Sequence, residues 1–217
     1  PQPAFVIAHL GTTLYRVNAS GWQQVSEWDN KIESDWQNFS HQDMYRLLSV
    51  FPALRLQEKE KQNTYKLSFY VLPQDDKQKL MHEVGLQLTH SGIKANLIWS
   101  SDEMAGIELL DVLPATANKL HAIHFLMRQE NFSQHNTVFA GDSGNDMDVL
   151  LSDIPSVLVA NASDEIKNLA ASTNKRKLYI ATGGYLGMNG NYAAGILEGM
   201  AHFLPEAEAW MKKSESD

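Results

Sequence analysis

Two carboxylates stand four residues apart in Val138-Phe139-Ala140-Gly141-Asp142-Ser143-Gly144-Asn145-Asp146. The apolar run before them reads as a buried strand, and a helical pattern follows. In an open α/β sheet, ligands bind beyond the carboxyl ends of the strands, so Asp142 and Asp146 should project where such a fold does its chemistry. Paired carboxylates there suit a hard cation such as Mg²⁺, which keeps waters and takes one or two protein carboxylates plus phosphate oxygens. A capped strand-to-helix turn would explain one acid. It does not explain Ser143, Gly144 and Asn145 packed between two of them, a loop whose amides and polar side chains suit an anion.

Lys119 follows a Pro-Ala-Thr-Ala-Asn run and opens a helical pattern. A lysine in a first helical turn opposes the macrodipole, so it reads either as solvated or as a holder of phosphate or carboxylate. Lys66 interrupts an apolar strand pattern and reads first as an outward-facing residue. Ser100-Ser101, with Asp102 and Glu103 beyond, line a sugar-binding face or a plain loop. Trp22, Trp28 and Trp36 fall at roughly helical spacing, as a core stripe would. His121 and His124 share a helix face without a third metal ligand in reach of the spacing.

These residues need elements to hold them. Ala4–Ala8 and Leu14–Val17 read as strands around the Gly11-Thr12-Thr13 turn, with a hairpin turn at 18–21. Helical spacing covers 28–50, Tyr65–Val71 alternates as a half-buried strand, and Asp75-Asp76 starts a helix ending near His90. Strands follow at 95–99 and 108–112. Beyond about residue 111 the order is strand, helix, strand, helix, strand, helix, which predicts parallel strands with crossover helices. The fold class expected is α/β: a parallel, Rossmann-like core with helices on both faces, formed by residues 1–21 and 111–217, and an inserted α+β cap at 22–110.

Composition narrows the chemistry. With 217 residues, 43% of them hydrophobic, a real core is affordable in one large domain or two small ones. A net charge of −8 argues against nucleic acid as a partner. The absence of cysteine excludes disulfides and thiolate sites and fits a reducing cytoplasm. No apolar run reaches membrane-spanning length and no signal peptide is visible. The opening Pro1-Gln2-Pro3, without Met, reads as a cut inside a longer protein.

Asn118-Lys119 and Gly141–Asp146 together resemble the lysine and acidic motifs of the haloacid-dehalogenase-like phosphatases. Leu10-Gly11-Thr12-Thr13-Leu14-Tyr15, Tyr65–Tyr70, Ile98–Ser101, Asp111–Pro114 and Ala193–Glu198 resemble the sucrose-phosphatase branch, over nearly the whole chain. The resemblance implies an aspartate nucleophile attacking phosphorus, Mg²⁺ held by Asp142 and by Asp146 directly or through water, and Lys119 as the catalytic lysine. It implies support of the loop and phosphate by Ser143 and Asn145, and cap residues Lys66, Ser100 and Thr12 reaching the sugar. The substrate it implies is a sugar phosphate monoester, sucrose 6-phosphate first. Another sugar phosphate of mannosyl-phosphoglycerate type, or a non-catalytic sugar-phosphate-binding module fused to a sugar-phosphate synthase, are the alternatives, and the partner expected is a sucrose-phosphate synthase, by association or fusion. The superfamily's Asp-x-Asp-x-Thr nucleophile motif does not occur in the sequence, and Asp146-Met147-Asp148 has its acid spacing without the Thr. The expectation is therefore that the nucleophile lies upstream and that this chain alone is inactive. Thr13 stands where the branch usually has Glu, and Leu120 where Gly often follows the lysine.

Overall fold

The computed structural model describes residues 2–73, 76–102, 106–172 and 177–214. Asp75 and Glu103 lie outside the described residues. The chain forms two compact units, Pro1–Ala122 and Ile123–Asp217.

In the first unit, β1 (Phe5–Ala8), β2 (Thr13–Asn18) and β3 (Gly21–Gln24) form an antiparallel sheet in that order. Asn18 Oδ1 accepts the Ser20 N–H at 2.9 Å and Gly21 takes φ +117°, which closes the second hairpin. Residues 4–17 therefore belong to an antiparallel sheet, not to the parallel set expected of them, because turns this short can join only antiparallel neighbours. The helical stretch expected over 28–50 is two helices, α1 (Ser26–Glu33) and α2 (His41–Leu48). Gln37 and Asn38 take φ +50° and +64° between them, and two successive left-handed residues end any right-handed helix. A reciprocal capping box between Ser40 and Asp43 restarts it. Trp28 and Trp36 are fully buried, but Trp22 is 61% exposed on β3, outside the stripe its spacing suggested.

A second antiparallel sheet runs in the order β4 (Leu54–Leu56), β5 (Leu67–Val71), β7 (Ile107–Pro114), β6 (Ala95–Asp102). Helix α3 (Lys77–His90) starts on an Asp76 cap that accepts the Lys79 N–H at 2.9 Å. Leu48 and Met44 of α2 and Leu80, Val84 and Leu88 of α3 share one core with Leu67, Phe69, Leu110 and Val112 of the sheet. Alternation along the strands turns Ser68, paired in register with Asp111, and Ser100, paired with Leu109, to the other face. β7 runs unbroken to Pro114, so the change from antiparallel to parallel pairing comes after that strand rather than at 111.

Beyond β7 the chain is held by a residue 81 positions earlier. Asp35, 7% exposed, accepts both the N–H (2.8 Å) and the Oγ–H (2.7 Å) of Thr116. Its own carbonyl accepts the Lys94 N–H at 2.8 Å. Asp35→Ala leaves two half-buried donors unmet and should destabilise the chain by about 1–2 kcal/mol, whereas Asp35→Asn, which keeps an acceptor, should lose about half of that. Urea unfolding of the two variants checks this, and equal losses would show that acceptance is not the reason. Helix α4 (Lys119–Gln129) then begins at the expected lysine, with Asn118 Oδ1 accepting the His121 N–H at 2.8 Å. The unit boundary falls within α4.

In the second unit, β8 (Phe139–Gly141), β9 (Ser156–Leu158) and β10 (Leu178–Ile180) are parallel, in the order β10-β9-β8. Helices α5 (Met147–Leu150), α6 (Asp164–Ser172), α7 (Tyr192–Phe203) and α8 (Pro205–Ser214) complete it. Leu158 packs with Leu150, Ala162 and Ala170 on one face. Val157 and Val159 face α7 on the other, closely approached by Gly199 and Gly195. The sheet is thus covered by helices on both faces, as expected. Among the described residues no helix is long and apolar enough to cross a membrane.

Candidate active site

The acidic loop forms where β8 ends. Gly141 closes the strand, Ser143 adopts extended dihedrals (φ −133°, ψ 166°), and a single tight turn over Gly144–Asp146 leads into α5. Asp146 is 6% exposed. Its Oδ2 accepts the N–H groups of Asp142 (3.1 Å) and Ser143 (3.3 Å), and Ser143 Oγ lies 3.1 Å away. Asn145 Oδ1 sits 3.0 Å from the same hydroxyl. One buried carboxylate thus fixes the loop that presents the exposed carboxylate of Asp142. A Cβ on Gly141 would lie 2.6 Å from Asp146 Oδ2, so the glycine makes the room that this carboxylate occupies.

The loop borders a depression of about 300 Å³, also lined by Ala140, Val159, Tyr192, Ala193 and Ile196. The donor set fits a hard divalent cation. It offers hard carboxylate oxygens on a fixed loop. Asp142, Ser143, Asn145 and Asp146 are therefore together, as their spacing predicted.

The other candidates lie in the first unit. Thr12, 1% exposed, donates to the His9 carbonyl (2.9 Å) and accepts from Asn63 Nδ2 (2.8 Å). Asn63 in turn bridges to Lys66 across a tight turn. Lys66 Nζ lies 3.8 Å from Asp111 Oδ1, which also accepts the Ser68 hydroxyl. Lys66 is thus not the solvated outward residue its strand pattern suggests, since both partners of the pair are mostly buried. Burial, more than the nearby charges of Glu33 and Asp29, holds the neighbouring Tyr65 phenol above its ordinary range, so it stays an O–H donor. Ser100 is exposed and shares the sheet face of Ser68 and Asp111, two register positions from the Lys66 pair. Gly11 (φ +96°) presses against the Asn118 backbone, where a Cβ would come within 2.5 Å, and its carbonyl accepts the Trp28 indole N–H at 2.9 Å. The Thr12 turn and the start of the Lys119 helix are therefore neighbours within this unit.

Sequence reasoning missed Asn63, Ser68 and Asp111. Asp111 had a signal, a carboxylate inside an apolar run. Asn63, 51 residues from the threonine it contacts, had none.

The architecture and the acidic loop define a haloacid-dehalogenase-like fold. The chain belongs to the sucrose-6F-phosphate phosphohydrolase family, whose model matches residues 1–204. A protein of Nitrosococcus oceani named for a HAD-like hydrolase is 45% identical across 100% of this chain and 60% of its own length. Sucrose-phosphatase 2 of Nicotiana tabacum is 30% identical over 92% of this chain and 44% of its own. A sucrose-phosphatase of Synechocystis, solved with sucrose and phosphate, superposes with a TM-score of 0.67 at 26% identity, covering 94% of this chain and 75% of that one. The chain spans 60% or less of the length of these two curated relatives.

Proposed function

We propose that the chain is part of a Mg²⁺-dependent phosphatase acting on a sugar phosphate monoester, with sucrose 6-phosphate as the first substrate to test. The carrying observation is the loop in which buried Asp146 fixes exposed Asp142 at the carboxyl end of a parallel strand, in a chain matched by the family over residues 1–204. In this reading residues 1–21 and 111–217 serve as the hydrolase core, and 22–110 as the cap that selects the sugar.

Asp142 would hold Mg²⁺, and Asp146 would hold it directly or through a water. The ion, when bound, offsets charge on the phosphoryl oxygens. Ser143 and Asn145 keep the loop in shape and offer polar contacts to phosphate. Lys119 would hold phosphate and attacking carboxylate together as a point charge. Phosphoryl transfer asks for positioning and charge neutralisation more than for covalent help from these residues. Lys66 and Ser100 would meet sugar hydroxyls from the face of the four-stranded sheet that carries Ser68 and Asp111, with Asp111 orienting Lys66, and Thr12, held by Asn63, would do so from the turn between β1 and β2. The attacking aspartate would come from residues outside these 217, because the sequence contains no Asp-x-Asp-x-Thr.

The test has two parts. Calorimetric titration should show Mg²⁺ binding that Asp142→Asn weakens by at least tenfold. Sucrose 6-phosphate should then bind only when Mg²⁺ is present, without phosphate release above background. Unchanged Mg²⁺ affinity in Asp142→Asn overturns the site. Steady phosphate release by the chain alone overturns the placement of the nucleophile.

A further inference from the structure

The depression beside the acidic loop has two unlike walls. One carries the carboxylates of Asp142 and Asp146. The other is the N-terminal end of α7, with Tyr192, Ala193 and Ile196. Neither a metal ion nor a phosphate gains from an apolar wall. A ligand with a charged end and a C–H-bearing body gains from both. The space, about 300 Å³, is at the small end for a ligand site. It matches a phosphate and one sugar ring in size.

Tyr192 is the part of that wall that packing does not explain. Its side chain is 70% exposed, yet its backbone takes φ +46°, a region that bulky residues avoid. Its N–H donates to Asn161 Oδ1 at 2.7 Å. Behind it α7 packs closely on the sheet, since a Cβ on Gly199 would lie 2.1 Å from Val157 Cγ2 of β9. The ring is thus presented on a fixed mount and buries little of itself in return.

We infer that Tyr192 is a specificity-determining residue, its ring receiving the C–H face of the sugar ring that bears the phosphate. This rests on the reading of the acidic loop as the cation and phosphate site, and it adds what that reading lacks, a protein surface for the esterified ring. An aromatic contact of this kind is worth about tenfold in affinity. It acts equally on a monosaccharide phosphate and on a disaccharide phosphate.

The experiment compares Mg²⁺-dependent binding of inorganic phosphate, fructose 6-phosphate and sucrose 6-phosphate to the 217-residue chain and to Tyr192→Ala and Tyr192→Gly. Both variants should bind the two sugar phosphates about tenfold more weakly and inorganic phosphate unchanged. Glycine accepts positive φ freely, so Tyr192→Gly should melt no lower than the unsubstituted chain, which separates lost contact from lost fold. Equal loss for inorganic phosphate, or loss confined to sucrose 6-phosphate, overturns the role of Tyr192 and leaves the loop intact as a phosphate site. No Mg²⁺-dependent binding of any probe to the unsubstituted chain overturns the loop reading, and this inference with it.

Discussion

Gly141→Ala is expected to lower Mg²⁺ affinity at least tenfold and to destabilise the chain by about 2–3 kcal/mol. The added methyl would meet Asp146 Oδ2, Cβ and Cγ at 2.6–2.7 Å, and the Asp146 Cβ cannot swing aside as a long side chain's tip can. The carboxylate must leave its place. The N–H groups of Asp142 and Ser143 then lose their common acceptor, and the loop no longer holds Asp142 in position. Asp142→Asn provides the contrast. Its side chain is exposed, so it should lose the metal with a stability change within about 0.5 kcal/mol. Calorimetric Mg²⁺ titration and urea unfolding, run on both variants, separate the two roles. A Gly141→Ala chain that keeps both affinity and stability would show that Asp146 is not what shapes the loop.

Gly199→Ala should be the more damaging change to stability. On an exposed helix it would be favourable by up to about 1 kcal/mol. Here the sign reverses, because the new Cβ would lie 2.1 Å from Val157 Cγ2 and 2.6 Å from Cγ1 in the interface between α7 and β9. Val157 is fully buried, so neither side can yield without opening the helix–sheet contact, and a loss of about 3 kcal/mol is expected. Val157→Ala removes the two nearest carbons and leaves only its Cβ, at 2.9 Å. In the double variant the two changes should couple by at least about 1 kcal/mol in the favourable direction. Denaturant unfolding of the four-member cycle measures that coupling, and simple additivity would place the strain elsewhere.

What the sequence made legible was local. The spacing of Asp142 and Asp146 sits within one turn, so strand, glycine and acids together were enough to place it. Lys119 opens α4 because Asn118 caps it, a signal that lies beside it in the chain. The three strands at β8, β9 and β10 alternate with helices, and crossover connections leave parallel pairing as the natural outcome. What stayed hidden was set by partners far away in sequence. Nothing near Thr116 announces Asp35 as its acceptor, and nothing near Thr12 announces Asn63. Trp22 matched the helical stripe of Trp28 and Trp36 in spacing but sits on a hairpin strand, since a turn at 18–21 outranks periodicity counted across it. The break between α1 and α2 lies in two left-handed residues, Gln37 and Asn38, of which glutamine gives no warning.

The strand that carries the acidic loop also has an unusual freedom. Among the described residues β8 pairs with β9 alone, so its outer rim of amide and carbonyl groups is a template that reads backbone rather than sequence. Any extended segment that docks there lies alongside Phe139–Gly141 and ends next to the carboxylates. Under the reading proposed above, a segment pairing along that rim would end beside Asp142 and Asp146, so the edge of the sheet and the candidate site share one end of the strand.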